Sequence, residues 1–173
     1  MKTISNDYYH SLGLPQYKRY KMRPEMIAID CMKGWAQSEF TFDEIESDMI
    51  AHILYKAKLQ YFVDAMLPDK PDTFKWGFTT SQLQWCENNQ KEIWMYLVDN
   101  KLLFSSDYKQ IKRFTEEGPF TTNFSDESPA RASVWLGMQI IKSYLKHNPD
   151  ITFQDLMKET DYLEILNNSK YEP

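Results

Sequence analysis

A long run of apolar residues at helical spacing constrains the fold of this chain more than any other feature. From Thr41 to about Met66, apolar side chains recur every three or four positions, as on one face of an α-helix; they are Ile45, Met49, Ile53, Leu54, Ala57, Tyr61 and Ala65. The sequence "TFDE" (Thr41 to Glu44) has the Thr-x-x-Glu pattern of a capping box. Pro68 provides a stop. The pattern therefore predicts one helix over this whole stretch.

Further helices are predicted from cap residues and prolines. Thr79 with Gln82 makes a second capping box, and Ser106 and Ser128 suit the caps of two later helices. Proline favours the first position of a helix, and Pro24 and Pro129 stand at such positions. These signals predict helices over about 25–38, 79–99, 106–114 and 128–147, and two short helices that begin near Thr152 and Thr160.

Two of these helices carry apolar stripes that we expect to face the core. On the first helix the stripe consists of Ile27, Cys31, Met32 and Trp35. On the helix at 128–147 it consists of Ala130, Val134, Gly137, Ile141 and Leu145. Because a glycine has no side chain, Gly137 is expected to let another helix approach closely.

The composition agrees with an all-α fold. The chain has 173 residues, of which 42% are hydrophobic, and this suits one compact domain with a substantial core. Five glycines are too few for the many tight turns of an all-β protein, and no alternating pattern is long enough to predict a strand. We predict a single multi-helix domain over 1–173, with an irregular Tyr-rich arm (1–23), the main helices (24–147) and short C-terminal helices (150–168).

Charge and hydropathy exclude several classes of function. The net charge of −5 gives no basic surface for nucleic acid. The N-terminal sequence "MKTISNDYYH" has no apolar core of a signal peptide, and no run of eighteen apolar residues is present, so the chain as given is expected to be soluble. Cys31 and Cys86 form no C-x-x-C pair. The sequence is compatible with two free thiols and with one disulfide between them.

No catalytic or metal-binding motif is found. The three histidines form no H-E-x-x-H pair, so we predict neither a metal site nor a cofactor. A G-x-S-x-G nucleophile motif is also absent, and we predict no catalytic residue.

The segment "ESPARASVWLGMQIIKSYL" (Glu127 to Leu145) is the most suggestive place for binding. Glu127 and Arg131 lie four residues apart, within reach of a bidentate ion pair. Arg131, Trp135 and Gln139 then share one helix face, and such a mixture could line a groove for a peptide or small ligand. Equally, an Arg131 stacked on Trp135 and paired with an acid would only fix the preceding loop. The predicted binding residues are Glu127, Ser128, Arg131, Trp135 and Gln139, with Trp94 and Tyr61 as walls of a ligand site.

Several motifs resemble one family. They are N-x-x-x-I-W-x-Y-L at 89–97, L-L-F-S-S-D at 102–107, "GPF" at 118–120 and E-S-P-x-R-x-x-x-W-x-G-x-Q-I at 127–140. Together with segments upstream, they resemble the C-terminal region of the gliding-motility GldB-type lipoprotein family of Bacteroidetes. The resemblance covers most of the chain.

The resemblance implies a location in the cell envelope, facing the periplasm and held by a lipid anchor. The lipoprotein signal and the N-terminal region of the family are missing from this sequence, so membrane attachment is implied by relatives alone. The family in turn is similar to H-E-x-x-H zinc peptidases, which implies a zincin-like helical scaffold. In the corresponding stretch "KAKLQYF", Lys56 stands at the position of a metal-binding Glu, and a protonated lysine cannot bind Zn²⁺.

The resemblance and the missing motifs together lead to one expectation of function. We expect a non-enzymatic envelope protein that binds a protein or peptide partner on a degenerate peptidase-like scaffold. The alternative is a hydrolase or a small-ligand-binding module that uses the region of Glu127, Arg131 and Trp135. A hydrolase would act through Asp126, Glu127 and Arg131, and a ligand-binding module would be lined by Tyr61, Trp94 and Trp135.

Overall fold

The computed structural model describes residues 6–173, and within them the chain forms eleven α-helices and no strand. The helices are α1 (Asn6–Ser11), α2 (Gln16–Lys21), α3 (Ile27–Glu39), α4 (Met49–Met66), α5 (Asp72–Trp76), α6 (Thr80–Asn88), α7 (Gln90–Asp99), α8 (Tyr108–Thr115), α9 (Ala132–His147), α10 (Phe153–Lys158) and α11 (Tyr162–Ser169). The predicted all-α, single-domain fold is confirmed. None of the helices in the described part is long and apolar enough to cross a membrane.

Helices α4 and α9 form the centre of the fold. Nearly every side chain of α4 from Met49 to Val63 is buried, and α9 is buried from Ala132 to Met138. The other helices cover this pair: α3 packs against α4, α7 and α8 pack against α9, and α11 packs against both. One apolar cluster joins the side chains of these helices, so the core follows the α4–α9 contact.

Gly137 sets the distance between the two central helices. A Cβ atom at this position would lie 2.7 Å from the Ile53 Cγ2, 3.0 Å from the Ile53 carbonyl oxygen and 3.1 Å from the Ala57 Cβ. Two of these atoms are backbone or Cβ atoms, which cannot move without shifting α4 itself. The predicted close approach at Gly137 is therefore confirmed.

The predicted stripe on α3 is wrong for its main members. Ile27 and Trp35 are 62% and 52% exposed, and Cys31 is exposed as well. The buried residues are instead Ile29 and Ala36. Apolar residues stand on two faces of α3, and contact with α4 decides between them, because Ile29 packs in a cluster with Val63.

The start of α4 also differs from the prediction. The helix begins at Met49, and the Asp48 carboxylate caps it by accepting a hydrogen bond of 3.1 Å from the Ala51 N–H. The segment before it folds back along the helix, because Phe42 stacks on Tyr55 with ring centroids 4.3 Å apart. That contact cannot form if Phe42 continues the helix, where Tyr55 would be more than three turns away. Ile45, a predicted stripe member, is 88% exposed.

Other boundaries are confirmed or corrected by single cap residues. The capping boxes of Thr79 with Gln82 and of Thr152 with Asp155 are present, the first as predicted. The predicted helix at 79–99 is divided into α6 and α7 at Asn89, whose side-chain amide donates to the Trp85 carbonyl at 2.7 Å. Asp107 caps α8 and Asp161 caps α11, each one residue after the predicted cap.

The N-terminal arm contains more helix than predicted. Helices α1 and α2 occupy much of the stretch at 6–23 that we predicted as irregular, and residues 1–5 of that arm lie outside the described residues. A short 3-10 turn, Pro24–Met26, then leads into α3, with Pro24 at its first position as expected.

The contact at Gly137 gives a direct test of the packing. We expect Gly137→Ala to lower the free energy of unfolding by about 1–3 kcal/mol, because the added methyl group overpacks the α4–α9 contact. The matched control is Gly34→Ala in α3, where a Cβ would meet no atom from elsewhere in the described part of the chain within 4 Å. There the better helix propensity of alanine should stabilise the protein by up to ~1 kcal/mol. Urea unfolding of both variants checks the pair, and a Gly137→Ala variant as stable as the wild type would contradict the packing.

Candidate functional site

The segment before α9 is a buried turn and not the first turn of a helix. Ser128 does not cap α9: its buried hydroxyl donates to the Ser125 carbonyl at 2.6 Å and accepts from the Thr121 N–H at 3.2 Å. The Thr121 hydroxyl in turn donates to the Pro129 carbonyl at 2.8 Å. The predicted roles of Ser128 as cap and Pro129 as first helical residue are therefore wrong, because both residues tie the 118–131 loop to itself.

Arg131 is the residue from which α9 starts, and its backbone is in the left-handed region. Its φ is +62°, a conformation that costs a non-glycine residue roughly 1–2 kcal/mol. The side chain is 8% exposed, and its Nη2 donates to the Trp76 carbonyl at 2.8 Å. Nε lies 3.0 Å from the Glu117 Oε1 in an ion pair, although its N–H makes no hydrogen bond there. These contacts hold the strained residue in place.

The predicted partners of Arg131 are both wrong. Glu127 is exposed, and it forms no ion pair within the part of the chain that the structure describes. The reason is geometric: the helix begins only at Ala132, so the four-residue spacing between Glu127 and Arg131 does not place them on one helix face. The guanidinium lies 5.5 Å from the ring centroid of Phe78 and not on Trp135.

Arg131 opens onto a cavity of about 670 Å³ between α3, α4, the start of α9 and the segments at 41–44 and 115–117. The volume is in the usual range for small-ligand sites, about 300–1,000 Å³. Its lining combines charged, polar and apolar side chains: Lys33, Gln37, Thr41, Phe42, Glu44, Tyr55, Lys56, Leu59, Gln60, Thr115, Glu116, Glu117, Arg131 and Val134.

Two of the three cations in the lining are paired with carboxylates on the rim. The Lys56 ammonium contacts Glu116 and also donates to the Thr115 carbonyl at 3.3 Å. Glu117 pairs with Arg131 and with Lys21 of α2. Glu116 and Glu117 are consecutive residues after α8, so one short segment supplies both carboxylates.

Lys33 is the third cation, and it differs from the other two. Its Nζ donates to the Lys75 carbonyl at 3.3 Å, and no carboxylate of the described residues lies within ion-pair distance of it. Partial burial, together with the positive charges of Arg131 and Lys21, lowers the pKa of Lys33 to about 7. The amine is therefore half protonated near neutral pH.

Glu117 has the opposite shift. Its burial raises the pKa of the carboxyl group, but Arg131 and Lys21 outweigh that effect and the pKa is lowered overall. The carboxylate therefore stays ionised at neutral pH and balances only part of the positive charge around it.

Of the seven predicted binding residues, Arg131 lies in the cavity and the other six do not line it. Tyr61 stacks on Phe153, Trp94 meets Tyr171 edge-on, and Gln139 donates to the Trp135 carbonyl at 3.4 Å. Trp135 and Ser128 are buried, and Glu127 points to solvent. A binding role for these residues stays a prediction, but the structure does not bring them together in one site.

Sequence reasoning missed Lys21, Lys33 and Glu117. Lys21 and Lys33 lie on α2 and α3, and Glu117 follows α8 more than eighty residues later in the chain. It also missed Lys58, which is 2% exposed in the middle of α4. The Lys58 ammonium donates to the Glu159 carbonyl and lies 5.4 Å from the ring centroid of Tyr162. Burial lowers its pKa to about 8. The sequence does carry a signal for a buried Lys58, since this lysine stands inside a run of apolar residues of α4.

The structure shows no metal centre in its described part: no three His, Cys, Asp or Glu side chains there are grouped to hold an ion. Cys31 and Cys86 are free thiols, the first exposed and the second buried.

Comparison with known proteins gives a family. A model of the family described as gliding motility protein GldB matches residues 4–173, which is nearly the whole chain. It is the family that the motifs at 89–140 resemble. Neither the curated proteins nor the solved structures contain a match.

Unfolding experiments can show whether Arg131 is paired with Glu117, as in the structure, or with Glu127, as the sequence predicted. We expect Arg131→Gln to lower the free energy of unfolding by about 2–4 kcal/mol, because it leaves the Trp76 carbonyl without its buried donor and removes the cation that is paired with Glu117. Glu127→Gln should change it by less than about 0.5 kcal/mol, since Glu127 is exposed. Equal losses in both variants, measured by urea unfolding at pH 7, would contradict the pairing with Glu117.

Proposed function

The chain belongs to the family of gliding motility protein GldB, and on this premise we propose that it is a cell-envelope protein that binds a protein or peptide partner and catalyses no reaction. Membership supports an envelope protein associated with gliding motility. The proposal includes the finer points that the resemblance implies: a periplasm-facing position, a lipid anchor supplied outside this sequence, and a degenerate peptidase-like scaffold.

The cavity is the observation that carries the proposal. Its rim is formed by exposed residues, among them Gln37, Thr41 and Glu44, so a ligand can reach it from solvent. Its walls include apolar side chains of Leu59 and Val134 beside the charged groups. A concave site with apolar walls and a few fixed polar groups is typical of ligand binding. A segment of a partner chain that inserts one end or one side chain would fit it.

The hydrolase alternative receives no such support. It needs Asp126, Glu127 and Arg131 to converge, but Asp126 and Glu127 are exposed and do not line the cavity. A small-ligand site formed by Tyr61, Trp94 and Trp135 is not supported either, because none of these three residues lines the cavity.

Cells that lack the protein test the proposal. We expect the full-length wild type to restore gliding and the double variant Gln37→Arg, Thr41→Arg to fail, because two long cationic side chains would obstruct the rim. Both positions are exposed, so the core is left intact. Lys109→Gln, an exposed change outside the cavity, is the matched control and should restore gliding fully.

Gliding speed is the readout, with protein level and membrane fractionation measured in parallel. A double variant that is present at the wild-type level and restores full speed would contradict the cavity as the interaction site. Undiminished gliding in cells without the protein would contradict the motility role itself.

A further inference from the structure

We propose that the cavity binds the free carboxylate at the end of a peptide chain, with the ammonium group of Lys33 as the anchoring cation. The peptide nature of the ligand rests on the proposed function. The recognition of a carboxylate is a property of the cavity itself and can be tested without a partner.

The distribution of charge in the cavity is the first argument. Three cations line it, and Lys56 and Arg131 already have carboxylate partners in Glu116 and Glu117. Lys33 also lines the cavity, but no carboxylate of the described residues lies within ion-pair distance of its ammonium group. A half-buried ammonium in this position is stabilised by an anion from outside.

The hydrogen bonding of Lys33 leaves room for such a ligand. A lysine ammonium has three N–H donors. In the described residues one bond is found, to the Lys75 carbonyl, and at 3.3 Å it is long. The remaining donors suit the two oxygens of a carboxylate, which forms stronger hydrogen bonds with a charged donor than a neutral oxygen does.

The rim favours a carboxylate over a phosphate group. The side chains of Glu116 and Glu117 are 50% and 45% exposed and stand beside the opening, where they repel a dianion more than a monoanion. The single positive charge of Lys33 matches the single negative charge of a carboxylate ligand. Apolar walls at Leu59 and Val134 would accept the side chain of a terminal residue.

Binding should be coupled to protonation of Lys33. The charged groups that act on its amine come from several elements: Lys21 of α2, Asp30 of α3, Glu117 after α8 and Arg131 before α9. Burial and the two cations outweigh the two acids, so the pKa is about 7 in the free protein. A bound carboxylate favours the ammonium and raises that pKa, so the protein takes up a proton on binding near neutral pH.

Calorimetry with phenylacetate, a monocarboxylate with an apolar ring, tests the proposal on the full chain. We expect binding about tenfold weaker at pH 8 than at pH 6, because roughly nine in ten molecules carry a protonated Lys33 at pH 6 and about one in ten at pH 8. Phenylacetamide, which has the same ring without the charge, should bind at least tenfold more weakly at pH 6. Inorganic phosphate should bind more weakly than phenylacetate at pH 8, where phosphate is mainly a dianion.

Variants of Lys33 test whether its positive charge or the size of its side chain is responsible for ligand binding. Lys33→Gln should weaken phenylacetate binding at pH 6 at least tenfold. Lys33→Arg should bind at both pH values with less than a twofold difference, since a guanidinium stays charged. Lys109→Gln is the exposed control and should match the wild type, and thermal unfolding shows that each variant is folded.

Three results would overturn the proposal: no binding of phenylacetate to the wild type, equal binding of phenylacetamide, or unchanged binding by Lys33→Gln. Tighter binding of phosphate would replace the carboxylate site by a phosphate site. None of these results depends on gliding, so failure here and failure of the proposed function can be distinguished.

Discussion

The contact between α4 and α9 at Gly137 is the constraint on which the rest of the structure depends. It brings the Ile53 and Ala57 turns of α4 against α9 at a distance that leaves no room for a side chain. The α4 wall of the cavity, from Tyr55 to Gln60, begins within one turn of that contact, and the Arg131–Val134 wall lies within two turns of it. The site is therefore formed by the same packing that forms the core.

A second interaction connects the outer elements to this pair. The Arg131 side chain reaches the Trp76 carbonyl at the end of α5 and Glu117 after α8, and Glu117 continues the connection to Lys21 of α2. The hydrogen bond from the charged Nη2 of Arg131 to the Trp76 carbonyl contributes about 1.5–3 kcal/mol, which is enough to offset the left-handed backbone of Arg131. Burial, together with the positive charges of Arg131 and Lys21, also explains why the amine of Lys33 is so easily deprotonated.

The sequence predicted those features that depend on neighbouring residues. The capping box at Thr79, the helix that begins near Thr152 and the close approach at Gly137 follow from local rules of helix geometry. It failed where distant parts of the chain decide. Which face of α3 is buried depends on Val63 of α4, and where α4 begins depends on the stacking of Phe42 on Tyr55. The sequence indicates that Arg131 is important but not that Glu117 is its partner, because the two residues do not share a helix and no helical spacing relates them.

Lys33 lies in the cavity among other cations, and no carboxylate of the described residues is within ion-pair distance of it. Titration of the Lys33 side-chain nitrogen by NMR in the ligand-free protein measures this directly. We expect a pKa of about 7 for this amine. A pKa near the ordinary lysine value of 10.5 would show that the amine is solvated or already paired, and would contradict it.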